Sequence, residues 1–370
     1  MKVLNIIWGF STGGIGKCFL TYDSLDKFDK SLDVNSVCID IKNCNYDREP
    51  LIENNITRII IKNKIDFSWI YYLGKIADDY EPDVIFCHGF NGPIITQIVK
   101  LFYKSFRTPM VCTYHGLYNA PSKSKIIFTS LINVTQAYLY KNVAQKVILV
   151  SKYSGEYLLK HGVPKEKLVV VYNGLEDLTN SRVLHLADDV IKIGLAARID
   201  EIKGINYLLD AIKIVKSKSQ HKFHLYIIGD GPLFEYQKKQ TRLMDIDDVV
   251  SYMGYQNNVL EWVNSWDIFC LPSLQENHSI ALLEAMRAGK AIICTNVGGN
   301  PETVDNNKEA ILVPPKDVDS LANAILCLIN DEQKRLVLGK NAYNRFNLEF
   351  TADVMKYKLV EVLKSVVKYD

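Results

Sequence analysis

Short apolar runs alternate with stretches of helical periodicity from one end of the chain to the other. Before residue 175 the runs are KVLNIIW, NSVCID, RIIIK, DVIFCH, PMVCTYH, KVILVS and KLVVVYN. After residue 190 they are IKIGLAAR, HLYIIGD, VVSYMG, DIFCLPS, AIICTN and AILVP. Short runs that are apolar throughout are strands buried on both faces, which requires helices above and below a parallel sheet. Helical patterns fall between the later runs: INYLLDAIKIVKS, PLFEYQKKQTRLM, NVLEWVNSW and IALLEAMRAG. The last closes at Gly289, a natural residue just past a helix end. Helical pattern resumes near Asp317 and continues to the end. The polar stretch LEDLTNSRVLHLADD, directly after Asn173-Gly174, has no period and divides the series. The expectation is an α/β chain of two Rossmann-like halves, each with a ligand crevice at the carboxyl ends of its strands. A length of 370 residues exceeds one ordinary core and suits two domains.

Hydrophobic residues at 48% and charged residues at 23% belong to a soluble globular protein. No apolar stretch reaches the roughly 18 residues of a membrane span. The N-terminal MKVLNIIWGFSTGG looks superficially like a signal peptide, but it lacks a small-residue cleavage site and enters a glycine turn; it reads as the first buried strand. The eight cysteines form no CxxC pair, and Cys87, Cys112, Cys270 and Cys294 lie in strand-like runs. Scattered buried thiols point to a reducing compartment, the cytoplasm, without disulfides or a zinc site. Net charge is +2 but uneven: no acidic residue lies between Asp83 and Glu156, where Lys100, Lys104, Arg107, Lys123, Lys125, Lys141, Lys146 and Lys152 accumulate. With the aromatic and aliphatic residues of KLFYKSFRTP among them, the 100–152 region suits an anionic membrane surface or a phosphorylated acceptor. A solvated basic face over a normal core is the plain alternative. No nucleic-acid partner is expected.

The stretch from Asp267 to Val304, DIFCLPSLQENHSIALLEAMRAGKAIICTNVGGNPETV, carries the densest chemistry. Strand DIFCLPS delivers the chain into the loop LQEN, and a helix opens at Ser279, a residue suited to cap it. Glu276 then sits beyond the strand's carboxyl end, and Glu284 follows inside the helix. The amino end of a helix offers N–H donors and a positive dipole to an anion. Two carboxylates beside it accept paired hydrogen bonds from sugar diols, so they suit a ligand carrying phosphate and hydroxyls together. As a bare spacing the pair also fits a solvated helix face. The strand GLAAR ends at Arg198, and Lys203-Gly204 follow in the same loop. Both cations project from the carboxyl edge of a parallel sheet, where phosphate binds, unless they merely pair with Asp200 or Glu201. IIGDGP, Ile227 to Pro232, adds a glycine turn at the same edge. In STGGIGKC, Gly13-Gly14 let backbone approach the crevice, and Lys17 either adds charge there or begins a helix.

Taken in order, Gly13-Gly14, Asn173-Gly174, Arg198-x4-Lys203, GDGP, Glu276-x7-Glu284 with EAM-x-AGK, and GGNPE resemble retaining glycosyltransferases of family 4, of the bacterial surface-polysaccharide type. The resemblance implies the GT-B fold: two Rossmann-like domains facing each other across a cleft, with C-terminal helices returning toward the first. It implies an acceptor-binding domain over 1–180, a nucleotide-sugar-binding domain over 190–350, and a helix over 351–370 packing back on the first. The donor implied is a UDP- or GDP-sugar and the acceptor a glycan or lipid-linked glycan. By this resemblance Arg198 and Lys203 grip the diphosphate and stabilise the leaving nucleotide, and Glu276 contacts donor-sugar hydroxyls. The loop Asn277-His278-Ser279-Ile280 offers backbone N–H groups, and Glu284 binds the ribose diol. Gly229 and Tyr255 lie near the base, Gly13, Gly14 and Asn173 serve the donor from the first domain, and His115 in TYHG reaches toward the donor sugar. Asn277 and His278 stand where Gly and Phe are common, and Leu175-Glu176 where Val-Asp is; these departures leave the donor open. The implied location is cytoplasmic and peripheral at the inner face of the plasma membrane.

Other reaction classes fare worse. A P-loop requires G-x4-G-K-[ST], but STGGIGKC has Ser11 at the first glycine and Cys18 at the Mg²⁺-binding hydroxyl. The dinucleotide fingerprint G-x-G-x-x-G is absent. A nucleotide-sugar hydrolase or epimerase on the same fold stays open, and activity on donor alone separates it. A non-catalytic sugar-binding relative is opposed by the retained Arg198, Lys203, Glu276 and Glu284. Two Asp-x-Asp pairs occur, but Asp245/Asp247 precede a strand, at the wrong sheet edge, and Asp317/Asp319 suit a helix cap. Neither metal nor cofactor is expected, because two fixed cations can stabilise a departing diphosphate.

Overall fold

The computed structural model describes residues 1–10, 14–42, 56–63, 65–117, 126–177, 182–186 and 189–367. Seven strands belong to the first half: β1 Lys2–Trp8, β2 Asp33–Ile41, β3 Thr57–Ile61, β4 Val84–His88, β5 Met110–Tyr114, β6 Lys146–Leu149 and β7 Leu168–Val170. Six belong to the second: β8 Ile191–Ala196, β9 Phe223–Ile228, β10 Val250–Gly254, β11 Ile268–Leu271, β12 Ala291–Thr295 and β13 Ala310–Val313. Every one coincides with an apolar run read from the sequence. Sheet one runs β3-β2-β1-β4-β5-β6-β7 and sheet two β10-β9-β8-β11-β12-β13. All ladders are parallel.

The order explains where ligands can bind. Each sheet begins at an inner strand, builds outward to one side, then returns to build the other. The loops leaving the two inner strands diverge and open a crevice at their carboxyl ends. In the second sheet those inner strands are β8 and β11, paired through Ile268 with Ile193 and Phe269 with Gly194. The loop carrying Arg198 and Lys203 leaves β8, and the loop carrying Glu276 leaves β11. Strand order thus places side by side two segments that are far apart in sequence.

The chain divides into two compact units: Met1–Gly174 with Ala352–Asp370, and Leu175–Thr351. The second unit is therefore inserted into the first. Its own ends are clasped, since Leu175 N–H donates to the Phe350 carbonyl at 3.0 Å and Leu175 bridges Thr351. Helix Ala352–Val366 completes the first unit, burying Met355, Leu359, Val360, Val362 and Leu363. Lys364 Nζ donates to Asp29 at 2.7 Å, and Gly174 N–H points at Met355 Sδ. In the second unit helix Ile280–Arg287 ends as the sequence leads one to expect. Gly289 adopts φ +61°, its N–H bonds the Met286 carbonyl and the Lys290 N–H bonds that of Ala285, a glycine-terminated Schellman end.

Because Leu359 is fully buried, Leu359→Ala should destabilise the first unit by about 2–5 kcal/mol. Urea titration followed by near-ultraviolet circular dichroism checks this; an unchanged midpoint would show that the terminal helix is not part of that core.

Candidate functional site

The centre of the second unit's crevice is an ion pair. Lys203 Nζ lies 2.7 Å from Glu276 Oε1, and the Ser273 hydroxyl donates to the same oxygen at 2.7 Å. Among the described residues no protein donor reaches Oε2, which leaves half of the carboxylate for another partner. Glu276 is buried and Lys203 partly so, which strengthens the attraction relative to a surface pair. Arg198 behaves differently: its side chain is 70% exposed and its Nε sits 3.7 Å from Asp200 Oδ2. That is the plain pairing allowed for in the sequence, and it leaves most of the guanidinium face open.

Lys203 is placed by its loop. Asp200 caps the short turn Glu201–Lys203 by accepting from the Ile202 and Lys203 N–H groups, and Leu274 N–H donates to the Ile202 carbonyl at 2.7 Å. Gly204 follows with φ +62°, and a Cβ there would stand 2.2 Å from the Pro272 carbonyl oxygen. Glu276 is fixed from its other side by Gly298, at φ +55°, where a Cβ would stand 1.7 Å from the Glu276 carbonyl oxygen. The Gly299 N–H donates to that carbonyl, and Thr295 Oγ1 donates to the Ser273 carbonyl at 2.5 Å. Gly229 meets Ala197 in the same way, beside Arg198, and its N–H donates to Gly254, the residue before the exposed Tyr255.

Beyond Glu276, Asn277 is half-buried and His278 buried, its ring 5.6 Å from that of Phe350. Burial pushes the His278 pKa down to about 3. Ser279 caps helix Ile280–Arg287, its hydroxyl oxygen accepting from Leu282 N–H, so the positive end of that helix lies at the crevice. Glu284 is buried on the same helix, with Arg287 electrostatically beside it. Asp317 caps helix Val318–Asn330 through Ser320 N–H, and Asp245 and Asp247 precede β10 at the amino edge.

The first unit holds the remaining residues. Gly14 opens helix Gly14–Asp23, while Gly13 lies outside the described residues. Asn173 is buried and its Oδ1 accepts from Cys18 Sγ at 3.3 Å. His115 belongs to a hydrogen-bonded chain that sequence reasoning missed. Asn5 on β1, His88 on β4 and Thr113 on β5 are buried polar residues inside strands. The directions follow from the Asn5 amide, whose nitrogen faces Ser36. The Ser36 hydroxyl oxygen accepts from Asn5 Nδ2 at 2.8 Å. Asn5 Oδ1 therefore accepts from His88 Nε2 at 2.5 Å. His88 Nδ1 then accepts from the Thr113 hydroxyl at 2.9 Å, whose oxygen accepts from His115 Nε2 at 3.2 Å. His115 is left with Nδ1 as an acceptor. Burial first, then His115, holds His88 well below the usual histidine range, and desolvation pushes His115 down to about 4. Both rings are neutral near pH 7. The available signal was polar residues within otherwise apolar strands, which costs stability unless each is bonded.

Comparison with known proteins bears on both halves. The model for Glycosyl transferases group 1 matches residues 177–345, and that for Glycosyltransferase Family 4 matches residues 45–177. An uncharacterized glycosyltransferase of Methanocaldococcus jannaschii is 28% identical over 302 residues, covering 76% of this chain and 75% of its own. The amylovoran biosynthesis glycosyltransferase AmsK of Erwinia amylovora is 26% identical over 297 residues, covering 77% and 70%. Among solved structures, Anabaena HepE in complex with UDP and glucose superposes with a TM-score of 0.82 at 20% identity, over 99% of this chain and 100% of that one. The fold is that of GT-B proteins.

Gly298→Ala should lower the thermal midpoint well beyond Gly254→Ala. Gly254 has φ +66° but open space around it, so its cost is the left-handed strain alone, about 1–2 kcal/mol. Equal midpoints would mean the Glu276 backbone yields freely. His115 and His278 have native pKa values below the unfolded value of about 6.5. Between those values the unfolded chain binds protons that the native one refuses, so stability is complete above about pH 6.5 and falls as pH drops toward 4. Urea midpoints measured across that window should decline, and His278→Gln, if it folds, should flatten the decline.

Proposed function

Because the chain belongs to the glycosyltransferases that join a family 4 domain to a group 1 domain, we propose that it is a retaining, metal-independent hexosyltransferase. It moves a sugar from a UDP- or GDP-sugar to a glycan or lipid-linked glycan in surface-polysaccharide assembly. The observation that carries this reading is the Lys203–Glu276–Ser273 cluster at the diverging loops of β8 and β11, beside the Ser279-capped helix.

In this reading Lys203 and the open face of Arg198 hold the donor diphosphate. As the bond to the anomeric carbon breaks, negative charge grows on the departing nucleotide, and preorganised cations stabilise it more than water would. Glu276 Oε2 accepts from donor-sugar hydroxyls while Oε1 stays bound to Lys203 and Ser273, so one carboxylate ties sugar position to phosphate position. The backbone of Asn277 to Ile280 offers N–H groups, Glu284 takes the ribose diol, and Gly229 and Tyr255 attend the base. In the first unit the neutral His115 offers Nδ1 as an acceptor to a hydroxyl. The acceptor hydroxyl attacks on the face the diphosphate leaves and passes its proton to the departing diphosphate oxygen, giving retention without a protein nucleophile.

For the acceptor, the acid-free 84–155 segment exposes Leu101 and Phe102 beside Lys100 and Lys104, and helix Ile126–Asn142 exposes Leu131, Val134 and Tyr138. Positions 131, 134 and 138 fall on one helical stripe, a pattern suited to the interfacial region of an anionic membrane. Lys123 and Lys125 lie outside the described residues. No helix among the described residues is long and apolar enough to cross a membrane. A cytoplasmic enzyme peripheral at the inner membrane face accommodates these features.

Arg198→Ala should leave stability within about 0.5 kcal/mol, as an exposed side chain, yet lower kcat about a hundredfold or more. Lys203→Ala should do at least as much. Nucleotide-sugar turnover with and without added glycan acceptor measures both; wild-type turnover in either variant sinks the assignment, and turnover on donor alone favours hydrolysis. Sedimentation with anionic vesicles at low salt should retain the protein, and Leu131→Glu with Tyr138→Glu should release it.

A further inference from the structure

A recess of 440 Å³ opens in the second unit between the first turns of helices Ile205–Lys218 and Phe234–Leu243. None of the donor-site residues above lines it. Its walls include Tyr207 and Tyr236, Leu274, and the polar side chains of Glu201, Asn206 and Gln237. The size falls toward the lower end of small-molecule sites, roughly 300–1,000 Å³. Gln237 is 3% exposed, and its Oε1 is buried without a hydrogen-bond partner. A buried amide oxygen left unbonded costs about 1–3 kcal/mol, and because Gln237 lines the recess, a turn of its side chain toward a bound hydroxyl recovers that cost.

The lining selects the ligand's chemistry. Its one ionic group is Glu201, so a phosphate or carboxylate would meet repulsion and no cation. A hydroxyl suits the Gln237 amide in either orientation, because it both donates and accepts. Glu201 accepts from a diol, Asn206 adds a donor and an acceptor, and the tyrosine rings and Leu274 offer apolar surface to the C–H faces of a sugar ring. Tyr236 is 55% exposed, as a stacking platform at an open mouth should be.

We propose that this recess is a second saccharide site, taking a neutral sugar unit of the acceptor glycan; the acceptor part rests on the function proposed above. It adjoins the catalytic cluster through one loop. Leu274, in its wall, follows Ser273, which bonds Glu276, and the Leu274 N–H holds the Ile202 carbonyl next to Lys203. A glycan seated here is anchored one loop's thickness from the diphosphate grip, within the same unit.

The test uses the full chain with glucose, maltose and maltotetraose, and with N-acetylglucosamine and its dimer and tetramer, read by saturation-transfer NMR and calorimetry. Binding in one series should tighten with chain length. Tyr236→Ala and Glu201→Gln, both at exposed positions that leave the fold intact, should each weaken it roughly tenfold. Thermal-shift responses to UDP and GDP, measured in parallel, should be unchanged in both variants. Absence of binding in both series, or binding indifferent to both variants, overturns the site. Equal affinity for monomer and tetramer overturns the glycan assignment in favour of a free monosaccharide. Loss of the nucleotide response in the parent protein, with saccharide binding kept, counts against the donor reading and not against the recess.

Discussion

Backbone resting directly on backbone is what the second unit's crevice depends on. Gly204 lies on the Pro272 carbonyl and Gly298 on that of Glu276, each at a distance that no Cβ tolerates. Three loops, after β8, β11 and β12, are thereby stacked with no side chain between them. A salt bridge in an open loop is worth little, because two long side chains must be ordered to make it. Here Lys203 and Glu276 leave from loops already locked, so most of that ordering has been done by the fold before the side chains meet. Ser273 and Thr295 add hydrogen bonds along the same seam. The charge pair is the visible part of a rigid backbone assembly.

Much of this was legible in the sequence, for identifiable reasons. Strands buried on both faces are apolar throughout, so all thirteen register as runs, and Gly289 marks its helix end because only glycine is comfortable at that backbone angle. The motif glycines were visible as letters, but not what each touches: that Gly298 faces Glu276 follows from the adjacency of β11 and β12, a fact of strand order. The division after Gly174 stood in the sequence as the polar stretch that follows it, whereas the return of helix Ala352–Val366 to the first unit was implied only by the family resemblance, since that helix looks like its neighbours in period and composition. Arg198 and Lys203 were read as equals. The structure separates them into an exposed guanidinium and a lysine held on a carboxylate, because only Lys203 lies against the second loop.

The polar thread through the first unit escaped for a different reason. Asn5, His88 and Thr113 are single polar letters in three apolar strands, and a single letter has no spacing to detect. Their meaning is collective: four hydrogen bonds run from His115 to Ser36, each side chain between them shared by two of the bonds. Such a thread couples ring orientation to protonation, since the role of each ring nitrogen is set by the group it faces. A histidine kept neutral in this way can bind a hydroxyl but cannot serve as a cation at neutral pH.

The placement of helix Ala352–Val366 has a consequence for how the protein comes into being. A ribosome delivers residues 1–174 first, then the whole inserted unit, and only afterwards the helix that covers the first unit's remaining apolar face. Domains tend to fold as they emerge, so the inserted unit can mature while the earlier one still waits for its last piece. During that interval the surface meant for Met355, Leu359 and Leu363 is open to water. The inserted unit can therefore be complete before the unit that flanks it.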